Sequence, residues 1–417
     1  VENHRLEQGD LKKLFSLPVI VAALGYFVDI YDLLLFSIVR VTSLKSLGVV
    51  AEPDLLDKGI FLINAQMAGL LVGGILWGIM GDKRGRLSVL FGSILLYSLA
   101  NIANGFVTTV DQYAVLRFIA GIGLAGELGA GITLVSEVLP TRLRGYGTTI
   151  VASVGLFGAV AANLVAHSVK ENWQIAYFIG GGLGLILLIT RISVFESGIF
   201  LKVKAQTTDR GNFLKLFTSR DRLSRFLSCI FIGLPIWFVI GILITFSPEL
   251  SREIGFTGTV IAGNAVMVSY LGLVAGDISS GLLSQYFQSR KKIVLLFIII
   301  TVVFILLYLF APLKSISFFY VCCFSLGFGV GYWALFVTIA AEQFGTNLRS
   351  TVATTVPNFI RGTVLPLTMA FQFLTRKVGI INSALIIGIS TIVIALIALR
   401  ALKETFGRDL TFLEKDK

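Results

Sequence analysis

Long apolar runs separated by short polar breaks fill nearly the whole chain. In the first half they fall at roughly 15 to 40, 59 to 80, 88 to 108, 113 to 136, 145 to 168 and 174 to 194, and about six more follow the middle. Each is near the ~20 residues that a helix needs to cross a bilayer. The pattern predicts an all-α polytopic membrane protein of twelve transmembrane helices. Two carboxylates interrupt the first run, in Asp29-Ile-Tyr-Asp32. Ionisable groups at that depth cost roughly 2.5 to 3.5 kcal/mol each to insert, so they mark an ion or substrate pathway.

Composition agrees. Hydrophobic residues make up 55% of 417 positions and charged ones 14%, with a mean hydropathy of +0.87. The net charge of +11 does not form a nucleic-acid patch, because the basic residues gather in alternate loops. Lys83, Arg84, Arg86, Arg142, Arg144, Arg290, Lys291 and Lys292 fall on one side, which the positive-inside rule reads as cytoplasmic, with both termini there. Cys229, Cys322 and Cys323 lie within spans and predict no disulfide framework. The polar opening, residues 1–13, predicts no cleaved signal peptide. No Asn-x-Ser/Thr sequon occurs, which favours a bacterial inner membrane.

The basic, polar stretch around residues 195–225 divides the chain into bundles at 1–194 and 226–417. The halves repeat weakly at an offset of about 205 residues: Glu137 to Arg144 matches Glu342 to Arg349, and Gly78-x-x-x-Asp82-Lys-Arg-Gly85-Arg86 has a worn counterpart running from Gly281 to Arg290. Two six-helix repeats place a substrate near the midplane between them.

At these residues the chain resembles the major facilitator superfamily, whose loop after helix 2 reads Gly-x-x-x-Asp-Arg-x-Gly-Arg. Within it, the acid pair of helix 1, the run Arg117-Phe-Ile-Ala-Gly121 through Gly126-Glu127, the segment from Glu137 through Pro140 to Arg144, and Phe195-Glu196-Ser197-Gly198 are similar to the metabolite:proton symporter branch. Sugar carriers share much of the pattern. Both prolines of the helix 6 motif are missing, and the second-half loop carries Gln285 in place of its Asp. The resemblance implies alternating access between pseudo-symmetric halves. It also implies that a helix 1 Asp pairs with a helix 4 Arg and is released by protonation.

The spacing of Asp29 and Asp32 puts both on one helical face, about 4.5 Å apart along the axis. Two acids so close in low dielectric do not both stay ionised. Arg117 is their expected partner, and Glu127 is either a deeper proton or substrate group or a structural acid holding helix 4 to a neighbour. These four form the expected coupling set. In the second half, Arg361 stands between Pro357 and Pro366. As an unpaired cation it would bind a carboxylate through charge-assisted bonds; the alternative is an ion pair with an acid across the interface. Asn358, Tyr31, Gln66, Asn264, Tyr332 and Trp333 are candidate lining residues. Asp82, Arg86, Glu137, Arg144, Glu196, Asp277, Glu342 and Arg349 are candidates for gates and helix-end pairs.

The reading is a secondary active transporter of a small polar metabolite, an organic acid or zwitterion, by proton symport. A facilitator or an exporter of a metabolite or siderophore-like compound is the alternative, and a non-transporting membrane sensor, which would usually append a soluble signalling domain, is the less favoured reading. No nucleotide loop, His-Glu-x-x-His or nucleophile elbow appears, so neither enzyme chemistry nor a cofactor is expected. A lone candidate histidine and buried cysteines make a metal site poor. The expected partners are substrate, protons and the bilayer, with the protein a monomer.

Overall fold

The computed structural model describes residues 8–84, 86–127, 143–196, 213–310 and 315–407, together with 131, 135, 138–140 and 414. The first half holds α1 (Gln8–Leu14), α2 (Leu17–Ser46), α3 (Glu52–Arg84), α4 (Arg86–Asn104), α5 (Val110–Leu124), α6 (Arg144–Val169) and α7 (Trp173–Glu196). The second holds α8 (Arg220–Phe231), α9 (Leu234–Phe238), α10 (Ser247–Ile254), α11 (Ala262–Tyr286), α12 (Arg290–Leu309), α13 (Ile316–Gly329), α14 (Trp333–Glu342), α15 (Thr346–Gly362), α16 (Val364–Val378) and α17 (Ile380–Ala401). Among the described residues nine helical stretches are long and apolar enough to cross a membrane. The other three crossings fall short for local reasons. The apolar part of α4 is only Val89–Asn104, α5 runs into residues outside the described set, and the α15–α16 crossing is polar and broken at Thr363.

Helix ends follow local chemistry. Thr109 caps α5 by accepting from the Gln112 N–H, and Ser289 and Ser315 cap α12 and α13 in the same way. Pro18 opens α2, where its missing N–H costs nothing. α2 continues six residues past the expected boundary at Arg40, to Ser46. α3 starts earlier than its apolar run, and Glu52 and Asp54 in its first turn suit the positive end of the helix.

Three crossings are discontinuous. Between α9 and α10 the chain forms a π-helix, Val239–Ile244, and both the N–H and the hydroxyl of Thr245 reach back to the Ile240 carbonyl. α15 ends at Gly362 because Pro366 has no N–H to offer its carbonyl. α13 and α14 are separated at Val330 to Tyr332.

The tightest seams use glycine, and they recur about 205 positions apart. A Cβ at Gly69 of α3 would stand 2.1 Å from the Phe118 carbonyl oxygen of α5, and one at Gly121 would stand 2.2 Å from that of Gln66. In the second half the equivalents are Gly272 of α11 at 2.1 Å from the Phe324 carbonyl and Gly327 of α13 at 1.8 Å from that of Ser269. The internal repeat is therefore expressed as two welded helix pairs. Across the molecular interface α2, α3 and α6 meet α11, α15 and α16. Apolar side chains such as Ile186, Ile189, Leu282 and Ile397 cover the outside, as a lipid-facing surface requires.

Candidate substrate and coupling site

One face of α2 carries Gly25, Asp29, Asp32, Phe36 and Arg40, spaced three and four apart, so they form a column along the helix. Every charged member is buried, and each meets an ionisable group from elsewhere.

At the lowest level Arg191 of α7 grips Glu127 through two bonds of 2.9 Å, with both side chains no more than 2% exposed. The pair fits because position 25 has no side chain: a Cβ on Gly25 would lie 2.1 Å from Arg191 Nη2 and 2.9 Å from Glu127 Oε2. One turn along α2, Asp29 Oδ2 accepts from Arg361 Nη2 at 3.3 Å, an ion pair across the interface between positions 332 apart in sequence. Arg361 is therefore not the unpaired cation first expected. Its Nε and Nη1, and Oδ1 of Asp29, nonetheless have no hydrogen-bond partner. The Arg361 guanidinium also stands 5.9 Å from the Trp333 ring centre.

At the next level Arg117 donates to the Asp32 backbone carbonyl and to Asn101 Oδ1, each at 3.3 Å. It lies 6.0 Å from the Phe36 ring centre and 5.6 Å from that of Tyr177. Neither carboxylate oxygen of Asp32 has a hydrogen-bond partner. Gly180 of α7 makes room for this acid, since a Cβ there would meet Asp32 Oδ1 at 2.2 Å. The two acids thus face different arginines.

Arg40 sits highest and belongs to a latch between the halves. It pairs with Glu249 of α10 at 2.7 Å while fully buried, donates to the carbonyls of Leu55 and Thr245, and packs 4.8 Å over the Phe246 ring. On the same side Arg252 pairs with Glu52 at 2.6 Å and Arg376 with Asp57 at 2.7 Å. Deeper along this seam Thr368 donates to Asn64 and Asn163 to Asn264.

The remaining candidates divide clearly. The Tyr31 hydroxyl is committed to the Ala176 carbonyl and that of Tyr332 to the Ile232 carbonyl, each within one half. Gln66 ties α3 to the Leu33 carbonyl of α2. Asn358 crosses the interface to the Ala125 carbonyl at 2.8 Å. Asp277 accepts the Ala334 N–H at 3.0 Å, which caps the start of α14 from a neighbouring helix. Glu342 pairs with Arg290 of its own half at 2.6 Å. Glu137 lies outside the described residues, and so do the side chains of Asp82, Arg86, Arg144, Glu196 and Arg349. Among the described residues no group of three metal-ligating side chains comes together.

Arg40 and Arg191 were missed from the sequence. Arg40 had a readable signal, since it continues the Asp29, Asp32, Phe36 spacing inside one apolar run. Arg191 sits among Leu188, Ile189, Ile192 and Val194, yet it fell at the edge where hydropathy drops and was read as the start of the linker.

Two six-helix halves, a buried column of charge on their interface and an apolar exterior define a multi-pass integral membrane transporter. Residues 22–362 match the sequence profile of the Major Facilitator Superfamily, and the chain belongs to that family. It is 28% identical over 352 residues to the sialic acid transporter NanX of Escherichia coli K12, covering 81% of this chain and 80% of NanX. It is 28% identical over 343 residues to a probable 4-methylmuconolactone transporter of Cupriavidus pinatubonensis, with 78% and 76% covered. The fold is shared with the inward-open xylose transporter XylE of E. coli at a TM-score of 0.70 and 15% identity, covering 94% of this chain and 97% of XylE.

Proposed function

We propose that the protein imports a small organic acid together with protons, and that Asp29 and Arg361 couple the two. The observation that carries this reading is the buried Asp29–Arg361 pair, which joins the halves at 3.3 Å while leaving two guanidinium donors without acceptors. A dry site holding one fixed cation tolerates one counter-charge. That charge is either ionised Asp29 or, once Asp29 is protonated, the carboxylate of the substrate. Proton and anion therefore enter together, and neither is stable there alone.

Asp32 and Arg117 form a second station, with Asp32 exchanging protons between the site and the latch side. Asn358 and Trp333 border Arg361 and line the substrate path. The halves, residues 1–194 and 226–417, rock as bodies joined by 195–225. The Arg40–Glu249 latch with its two surface pairs closes the outer face in the state described here. Arg290, Lys291, Lys292 and Lys403 gather on the face opposite the latch, which supports a cytoplasmic placement of both termini in a bacterial inner membrane. The protein works as a monomer in the bilayer. That one relative is named for an acid and another for a lactone is in keeping with a small oxygenated metabolite.

The test begins with a thermal-shift panel of organic acids, sugars and amino acids at acidic and neutral pH, since a specific ligand stabilises by mass action. The acid that stabilises most is then followed in proteoliposomes. Asp29→Asn should abolish proton-driven accumulation and retain counterflow; accumulation at the wild-type level would end the proposal.

A further inference from the structure

Three buried donors are left without acceptors on one aromatic wall of the second half. Two are Nε and Nη1 of Arg361, and the third is Nε1 of Trp237, whose side chain is 5% exposed. Trp333 links them. Its ring lies 5.9 Å from the Arg361 guanidinium, stacks on Phe336 at 5.3 Å, and meets Trp237 edge to face at 6.3 Å.

The orientation of Trp237 follows from its own helix. Gly233, just before α9, is four residues earlier, and a Cβ there would stand 2.8 Å from both Phe336 of α14 and Ile360 of α15. The α9 face bearing Gly233 and Trp237 thus looks toward the helices that carry Trp333 and Arg361. A buried N–H without an acceptor is a standing cost to the fold. Three of them beside flat aromatic faces form a surface complementary to a planar anion.

We infer that the substrate is an aromatic carboxylate bearing a ring acceptor, with its carboxylate on Arg361, its ring against Trp333 and a ring hydroxyl or ring nitrogen accepting from Trp237 Nε1. The inference rests on the organic-acid reading above and adds a class of substrate to it. It also separates two tasks: the acids of α2 handle protons, and the second half reads the ring. Trp237 is a specificity residue in this scheme.

The experiment measures binding of benzoate, 4-hydroxybenzoate and nicotinate to the purified full chain, wild type and Trp237→Phe. Wild type should bind the two acceptor-bearing acids about tenfold more tightly than benzoate, the worth of ~1.4 kcal/mol. Trp237→Phe keeps a ring but no donor, so it should erase that preference, weakening the two acceptor-bearing acids to the level of benzoate. Equal binding of all three acids by wild type overturns the assignment without need of a variant. A variant that weakens all three alike, or none, also overturns it. If an aliphatic acid binds and none of the three does, the aromatic class falls and the organic-acid reading stands. If no organic acid binds, both fall.

Discussion

Replacing Glu127 by Gln separates a proton-carrying acid from one that holds the helices together. The native carboxylate makes two 2.9 Å bonds to Arg191, and neither side chain is more than 2% exposed. Gln has the same shape but no charge, and it can accept from Arg191 through only one oxygen. A guanidinium cannot deprotonate to escape its environment, so the variant buries an uncompensated cation. Breaking such a pair from one side costs about 3 to 5 kcal/mol. The close approach to Gly25 leaves Arg191 no room to move toward α2 for another partner. Taking the first half as one cooperative unit, with about 2 cal/mol/K of unfolding entropy per residue, about 3 kcal/mol lowers its melting midpoint by roughly 7 °C. The assay is thermal unfolding in detergent followed by tryptophan emission, with transport measured in parallel. Adding Arg191→Gln should recover part of the loss, because it removes the orphaned charge. An unchanged midpoint together with loss of proton-driven uptake would refute the argument and return Glu127 to the coupling set.

The other predictions concern the site and the two faces. Asp29→Asn loses accumulation while keeping counterflow, and Trp237→Phe loses discrimination among ring acids, as set out above. Glu249→Gln leaves fully buried Arg40 without its counter-charge and should shift the population toward an open latch. A cysteine placed at Thr368, which is buried in that seam, should then react faster with an impermeant maleimide; unchanged labelling would contradict the latch. On the opposite face Glu404 binds the start of α12. Partial burial alone would raise its carboxyl, but bonds from the Ser289 hydroxyl and the N–H groups of Phe406, Arg290 and Thr405 hold it at about 2, against 4.5 for a free glutamate. A carboxyl held low contributes stability above its unfolded pKa and loses it as pH falls through the folded one. The segment around Leu402 to Phe406 should therefore become more sensitive to pepsin from pH 4.5 down to about 2, whereas Glu404→Gln should be cut throughout that range. Equal sensitivity of the two proteins would count against the clasp.

Hydropathy made the crossings and the division into halves legible, because a bilayer imposes length and polarity directly on the chain. It also supplied heights. Asp29, Asp32, Arg117, Glu127 and Arg361 were all recognisable as charges inside spans. It did not supply rotation about each helix axis, which decides who meets whom. Asp29 and Arg117 were expected to be neighbours, yet Asp29 turns to Arg361 in the other half, and Arg117 meets the backbone of Asp32. Arg191 was hidden by averaging, since a falling hydropathy window does not distinguish a cation entering the linker from one folded back onto Glu127. Tyr31 and Tyr332 looked like lining because tyrosine is common in cavities. Their hydroxyls instead answer backbone carbonyls of Ala176 and Ile232, a contact that depends on tertiary packing alone.

The glycine seams bear on leakage. Backbone pressed against backbone at Gly69 and Gly121, and again at Gly272 and Gly327, allows little sliding within these helix pairs, which suits each half to turn as a stiff lever. In the alternating-access scheme proposed above, the Asp29–Arg361 contact lies near the fulcrum, and parting the levers at one rim would drive them together at the other. In that scheme a pore open to both compartments would require a lever to bend at its weld, so the membrane gradient would be kept from short-circuiting by the places where the chain has no side chain at all.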